Sequence, residues 1–199
     1  LEPEFAEQLY NELLTFDRWS IDSEKTFQGE GVPELQTGYT YRRKSVFTNA
    51  PSAPEALARL DAYLNSQACL TWMSEVSGRK CDNFVGNAAL FEPGDHIARH
   101  NDNLTVTKAD GLTHRRVVTL NYWLAKNWKP ERGGQFVWET PRAEIVPTFN
   151  TMVIFLPGPS THHWVEPVAE SVSEPRLSIT GWFSTTYAKN QGKLKLKLG

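Results

Sequence analysis

The stretch FEPGDHIARHNDN, residues 91–103, turns at Pro93-Gly94 and then sets two histidines and two aspartates within eight positions, in a chain with five histidines in all. If residues 96–102 continue the strand that begins near Asn83, alternate side chains share a face, so His100 and Asp102 project together and Asn101 points away. An imidazole and a carboxylate on one face can hold one metal ion. Two ligands are seldom enough, and a third is available from a different run, STHHWVEPV, as His162 or His163. The tripeptide H-x-D taken alone is equally compatible with a surface histidine in a polar loop.

Working outward, the runs NFVGNAALFE, RRVVTLNYWLA, GQFVWE, TMVIFLP, HHWVEPV and RLSITGWFSTTY are short, rich in β-branched and aromatic residues, and bounded by Pro, Gly and Asn, the pattern of antiparallel strands. Upstream the texture is helical. PEFAEQLYNELLTF spaces Phe5, Leu9 and Leu13 along one helix face. SAPEALARLDAYLNSQACLTWMSEVSG opens with Ser52 and Glu55 at capping-box spacing and Pro54 in the first turn, with a break near Ser66 and an end near Gly78. Helices followed by strands predict an α+β chain: a sandwich or jelly roll over residues 83–187, buttressed by a helical support over residues 1–80, in one domain covering 1–199. The closing Lys/Leu alternation is either an edge strand or a tail.

The whole composition agrees with a globular chain. Of 199 residues, 40% are hydrophobic and 12% aromatic, which supplies a sizeable core. A formal charge of −2 gives no electrostatic reason to expect a nucleic acid or an anionic membrane as partner. No apolar run approaches the roughly 20 residues needed to span a bilayer. Cys69 and Cys81 do not make a secreted disulfide framework and read as isolated buried thiols. Thiols of that kind make a cytoplasmic location the default expectation.

Two histidines and one carboxylate on one side of an octahedron leave three positions open, the arrangement of non-haem ferrous oxygenases. Arg176 strengthens that reading. It begins a strand on which Ser178 and Thr180 share its face, and a cation in an apolar sandwich is costly unless paired. An organic dicarboxylate would pair with the guanidinium fork bidentately, as Glu170 or Glu174 would at the surface.

In order and spacing, FEPGDHIARHNDN, RRVVTLNYWLAKNW, RGGQFVWE, PTFNTMVIFLPGPSTHHWVEPV and PRLSITGWF together resemble the iron- and 2-oxoglutarate-dependent dioxygenases, and within them the prolyl-4-hydroxylase-like branch. The resemblance covers roughly residues 83–187. It implies a double-stranded β-helix, Fe(II), 2-oxoglutarate and dioxygen, and His100, Asp102 and His163 as iron ligands. Aligned on H-x-V, the distal ligand is His163, with His162 an outward neighbour. Arg176 would hold the remote carboxylate of 2-oxoglutarate, with Ser178 beside it. Trp123 and Phe91 stand where oxygen-sensing prolyl hydroxylases carry tyrosines, so Trp123, Asn121 and Thr119 on one strand face would offer the co-substrate a different set of donors. An intact Asp102 argues for hydroxylation over halogenation.

The resemblance implies C–H hydroxylation of a small-molecule or peptidyl substrate, with release of succinate and CO2. A peptidyl proline, a free amino acid and a natural-product scaffold all fit. LTVTKADGLTH, residues 104–114, reads as a mobile flap over the site, with FQGEGVPELQTGYTYRRKSVF, residues 27–47, as a second irregular border of the mouth. Arg99, Arg115 and Arg116 are either solvated or contacts for an acidic substrate. Trp182 and Phe183 read as core, with one of them able to wall the iron pocket. His96 and Asp95 read as bystanders. A zinc-dependent or cupin-like enzyme, or a binding protein, could use the same three ligands but would have no need of Arg176.

Overall fold

A computed structural model describes residues 1–23, 41–108 and 110–188, and for residues 22 and 23 the backbone alone. Helix α1 (Pro3–Thr15) buries Ala6, Leu9 and Leu13, while Phe5, the first residue of the predicted stripe, is only partly buried against the core. The second helical run breaks as anticipated into α2 (Glu55–Leu64) and α3 (Gln67–Ser77), with Ser66 accepting a hydrogen bond from the Cys69 amide and Gly78 closing the end at φ +64°. The capping box does not form. Pro54 occupies the N-cap without a side-chain bond, and Glu12 of α1 accepts the Ala56 amide instead at 2.7 Å. A tertiary neighbour supplies the acceptor that Ser52 was expected to give.

Among the described residues eleven strands follow one antiparallel scheme: β1 (Ser20–Ser23), β2 (Tyr41–Phe47), β3 (Asn83–Phe91), β4 (His96–His100), β5 (Thr105–Thr107), β6 (Leu112–Trp123), β7 (Phe136–Trp138), β8 (Ala143–Ile145), β9 (Thr151–Phe155), β10 (His163–Val165) and β11 (Arg176–Ala188). Their order is β5-β6-β11-β3-β2-β4-β10-β7-β8, with β1 on β2 and β9 on β6. This is the jelly-roll core anticipated from the runs. One face of β3, β6 and β11 carries Phe84, Ala88, Leu90, Val118, Leu120, Leu177, Ile179 and Phe183, packed with the helices in the main core. Burying each such side chain contributes about 1.5–3 kcal/mol. The alternate residues look the other way, toward β4, β7 and β10, and the site lies between.

Three strand readings change. Residues 96–102 do not continue β3: after the Pro93-Gly94 turn the chain leaves β3 and enters β4, which pairs with β2 and β10. Residues 41–47, read as irregular, form β2, a central strand between β3 and β4. The expected flap is a hairpin in which Thr105, Val106 and Thr107 pair with Arg115, His114 and Thr113 of β6. The rest of the second border, residues 27–40, and the Lys/Leu tail lie outside the described residues. Cys69 and Cys81 are free and buried, as expected.

Candidate active site

His163 sits on the short strand β10, opposite His100 of β4 on one side and Trp138 of β7 on the other. Phe136, Trp138 and Phe155 surround its ring at 5.2, 6.0 and 5.0 Å between centroids, Trp138 being stacked parallel to it. This wall excludes water and fixes the ring. The Nδ1 of His163 meets the Thr161 carbonyl at 2.9 Å, and that of His100 meets the Ala98 carbonyl at 2.8 Å. A carbonyl only accepts, so both Nδ1 atoms carry a hydrogen, and Nε2 is the nitrogen through which each neutral ring would bind a metal.

Those two Nε2 atoms and the Asp102 carboxylate converge. His100 Nε2 lies 3.8 Å from one Asp102 oxygen and His163 Nε2 lies 3.5 Å from the other. The three ligand atoms fall within 4.8 Å of one another, close enough for a single ion to touch all three. Burial pushes the His100 pKa down to about 4, against the pull of Asp102, so the imidazole is neutral at pH 7. Burial alone would raise the Asp102 carboxyl; His163, His100 and Arg116 outweigh it and hold the group well below the usual carboxylate range. Neutral imidazoles and an anionic carboxylate are the protonation states a divalent cation requires.

Asp102 stands beyond the end of β4 and is placed from across the site. Thr119 of β6, fully buried, donates its hydroxyl to Asp102 Oδ2 at 3.1 Å. Arg116 approaches Oδ1 at 3.8 Å and lies 3.5 Å over the Trp182 ring. Arg116 reaches this side because a β-bulge between Phe183 and Ser184 shifts the β6–β11 register there by one residue. Trp182 thus borders the cluster, while Phe183 is wholly in the core.

Arg176 is 2% exposed at the head of β11, its Cζ 4.7 Å over the Phe91 ring. Around it lies a second apolar cluster that includes Ala89, Phe91, Trp128, Val165 and Val168. Among the described residues no carboxylate pairs with it: Glu174 takes Arg132 instead, at 2.9 Å. Its Nε has no partner, and its one hydrogen bond is a long one, 3.4 Å to Ser178. Burial, then the like charge of Arg43, push its pKa down to about 9, so it is still a cation at pH 7. A buried cation without a counterion is an anion site in physical terms.

The remaining predicted residues occupy the same sheet face. Ser178 pairs in register with Trp123, Thr180 with Asn121 and Trp182 with Thr119. Asn121 accepts a hydrogen bond from Thr180 at 2.8 Å, and Trp123, 1% exposed, has its ring 6.2 Å from Phe136. His162 and His96 stay outside the cluster: His162 faces Asn101 at 3.2 Å and Glu139 at 3.6 Å, and His96 meets the Gly94 carbonyl. Asp95 braces the turn, paired with Arg42 at 2.5 Å and accepting the Glu92 amide. Arg99 pairs with Glu139 at the surface. Sequence reasoning missed the aromatic wall, the placing of Asp102 by Thr119 and Arg116, and Arg43, whose inward direction follows from β2 being a strand.

A jelly roll with two histidines and one carboxylate converging, and a buried arginine with no carboxylate partner among the described residues, defines a non-haem metal oxygenase site. The chain belongs to the 2OG-Fe(II) oxygenase superfamily, whose sequence model matches residues 86–184. It is accordingly a 2-oxoglutarate-dependent oxygenase that uses Fe(II) and dioxygen, and the His100–Asp102–His163 cluster fits the iron. No curated protein matches the sequence. Among solved structures its fold is similar to a Pseudomonas putida prolyl-4-hydroxylase, at 22% identity and TM-score 0.57, over 91% of this chain and 100% of that one. It is also similar to a Trichoplax adhaerens prolyl hydroxylase in complex with a hypoxia inducible factor peptide fragment, at 21% identity and TM-score 0.60, over 90% and 76% of the two chains. The α-ketoglutarate-dependent epimerase SnoN from nogalamycin biosynthesis has the same fold at 15% identity and TM-score 0.56, over 98% and 79%. No helix among the described residues is long and apolar enough to cross a membrane.

Proposed function

We propose that the protein hydroxylates a C–H bond of an amino-acid-derived substrate, a prolyl residue among the candidates, and releases succinate and CO2. The observation that carries this reading is Arg176, a buried cation with no carboxylate partner among the described residues, on the sheet face that looks toward the histidine–aspartate cluster. A zinc enzyme built on His100, Asp102 and His163 would gain nothing from such a group, because its burial is unfavourable until an anion arrives.

In this reading His100, Asp102 and His163 hold the iron. Arg176 and Ser178 take the far carboxylate of 2-oxoglutarate, and Trp123 and Asn121 line its path. Thr119, its hydroxyl committed to Asp102, sets the rotation of that carboxylate. When bound, Fe(II), 2-oxoglutarate and dioxygen supply the oxidation: decarboxylation to succinate places one oxygen atom in succinate and the other in the substrate C–H bond. The chain's contribution is positional. The backbone carbonyls of Ala98 and Thr161 hold the two rings by their Nδ1 hydrogens, and Phe136, Trp138 and Phe155 keep water from the His163 side.

The test is succinate formation from 2-oxoglutarate in air with Fe(II), alongside a mass gain of about one oxygen atom in candidate substrates. His100→Ala should abolish both. Turnover by that variant at the parent rate would overturn the reading.

A further inference from the structure

Asn87 is a polar residue of the chamber to which the oxygenase reading gives no task. It lies on β3 in phase with Ala89 and Phe91, whose side chains line the cluster around Arg176, while Phe84, Ala88 and Leu90 face the helices. Its register partner on β11 is Thr180, and the partner of Thr180 on β6 is Asn121. Three polar side chains therefore cross the inner face in one row, between the row of Ser178 and that of Thr119.

The three are not equivalent. Thr180 and Asn121 bond to each other at 2.8 Å, whereas Asn87 is 6% exposed and its side-chain oxygen has no hydrogen-bond partner among the described residues. Leaving such a group buried and unpaired is unfavourable, a cost that a ligand carrying a donor would remove. Its surroundings place it under the mouth of the chamber: Phe47, paired with Asn87 across β2, is 60% exposed, and Val85, the next inward-facing residue of β3, is 44% exposed.

The co-substrate does not account for it. Asn121 is two strand spacings from Asn87, roughly 10 Å, and Ser178 and Arg176 are one strand over but two and four residues further along β11, roughly 8 and 14 Å. We propose that Asn87 is a specificity-determining residue for the primary substrate: its carboxamide oxygen accepts a hydrogen bond from an N–H or O–H group carried near the carbon that is oxidised. This rests on the oxygenase reading and narrows it to substrates with a free donor, an amine, amide N–H or hydroxyl, beside the target position.

The experiment begins with 2-oxoglutarate binding to the Mn(II)-loaded parent by calorimetry under nitrogen, which tests the underlying reading by itself. Succinate release by the Fe(II)-loaded parent is then measured with L-proline, L-pipecolate and trans-4-hydroxy-L-proline, and with the N,N-dimethyl counterpart of each, for hydroxyproline also O-methylated, in which no donor is left. At least one donor-bearing probe should stimulate release with a KM about tenfold below that of its methylated counterpart. Asn87→Leu should erase that difference, and Asn87→Asp, which keeps an acceptor, should retain it. Binding of 2-oxoglutarate with no response to any donor-bearing probe would overturn the assignment. So would equal KM values for methylated and free probes in the parent, or a preference that survives in Asn87→Leu. Failure of 2-oxoglutarate to bind would instead overturn the reading beneath it.

Discussion

Arg176 and His100 show how burial alone prepares a residue for a ligand. The pKa of each is lowered chiefly by loss of water, to about 9 for the guanidinium and about 4 for the imidazole. For His100 the outcome is a free lone pair at neutral pH. For Arg176 it is a standing destabilisation that an anion removes. Arg176→Met should therefore leave the ligand-free protein at least as stable as the parent, since an apolar side chain replaces an uncompensated charge. In the parent, 2-oxoglutarate at a hundred times its Kd should add about 2.7 kcal/mol, and in the variant nothing. Thermal melts with and without 2-oxoglutarate measure both effects. A variant that melts well below the parent yet keeps the ligand shift would mean that Arg176 is structural.

Individual elements place these residues through features of very short range. The Gly133-Gly134 pair before β7 takes φ +69° and +67°, and a Cβ on Gly134 would meet Arg176 Cδ at 2.8 Å. Both the conformation and the space exclude a side chain there, so the glycine lets backbone pass directly over the arginine. Gly134→Ala should weaken 2-oxoglutarate binding by about tenfold through displacement of Arg176, with Mn(II) binding at the cluster unchanged. Calorimetric titration of each ligand separates the two; equal loss of both would show that the β7 region has collapsed instead. The bulge in β6–β11 acts in the same way on the other flank, since one skipped residue turns Arg116 inward toward Asp102. The alternation of RRVVTLNYW carries no sign of it, because hydrophobic period describes a regular strand and a bulge is set by the partner strand.

At the scale of the molecule the helices hold the sheet from outside while the chemistry lies inside, so stability and site are separable. Leu13→Ala, in a side chain fully buried between α1 and its neighbours, should lower unfolding free energy by about 2–5 kcal/mol. Below its melting temperature the variant should bind Mn(II) as the parent does. Denaturant melts and metal titration check the pair, and a matched loss of metal binding would show that the two layers are coupled. Helices, main strands, the Pro93-Gly94 turn and the three cluster residues were legible in the sequence, because each rests on local periodicity, turn chemistry or a motif of fixed spacing. His100 and Asp102 are two residues apart and could be read as a pair. His163 joined them only through the family resemblance, whereas the geometry of the convergence, the lack of a counterion for Arg176 and of a partner for the Asn87 oxygen among the described residues, and the inward turn of Arg116 came from the tertiary structure alone. Strand order, register and burial arise between segments distant in the chain, and no local pattern encodes which strand will lie beside which.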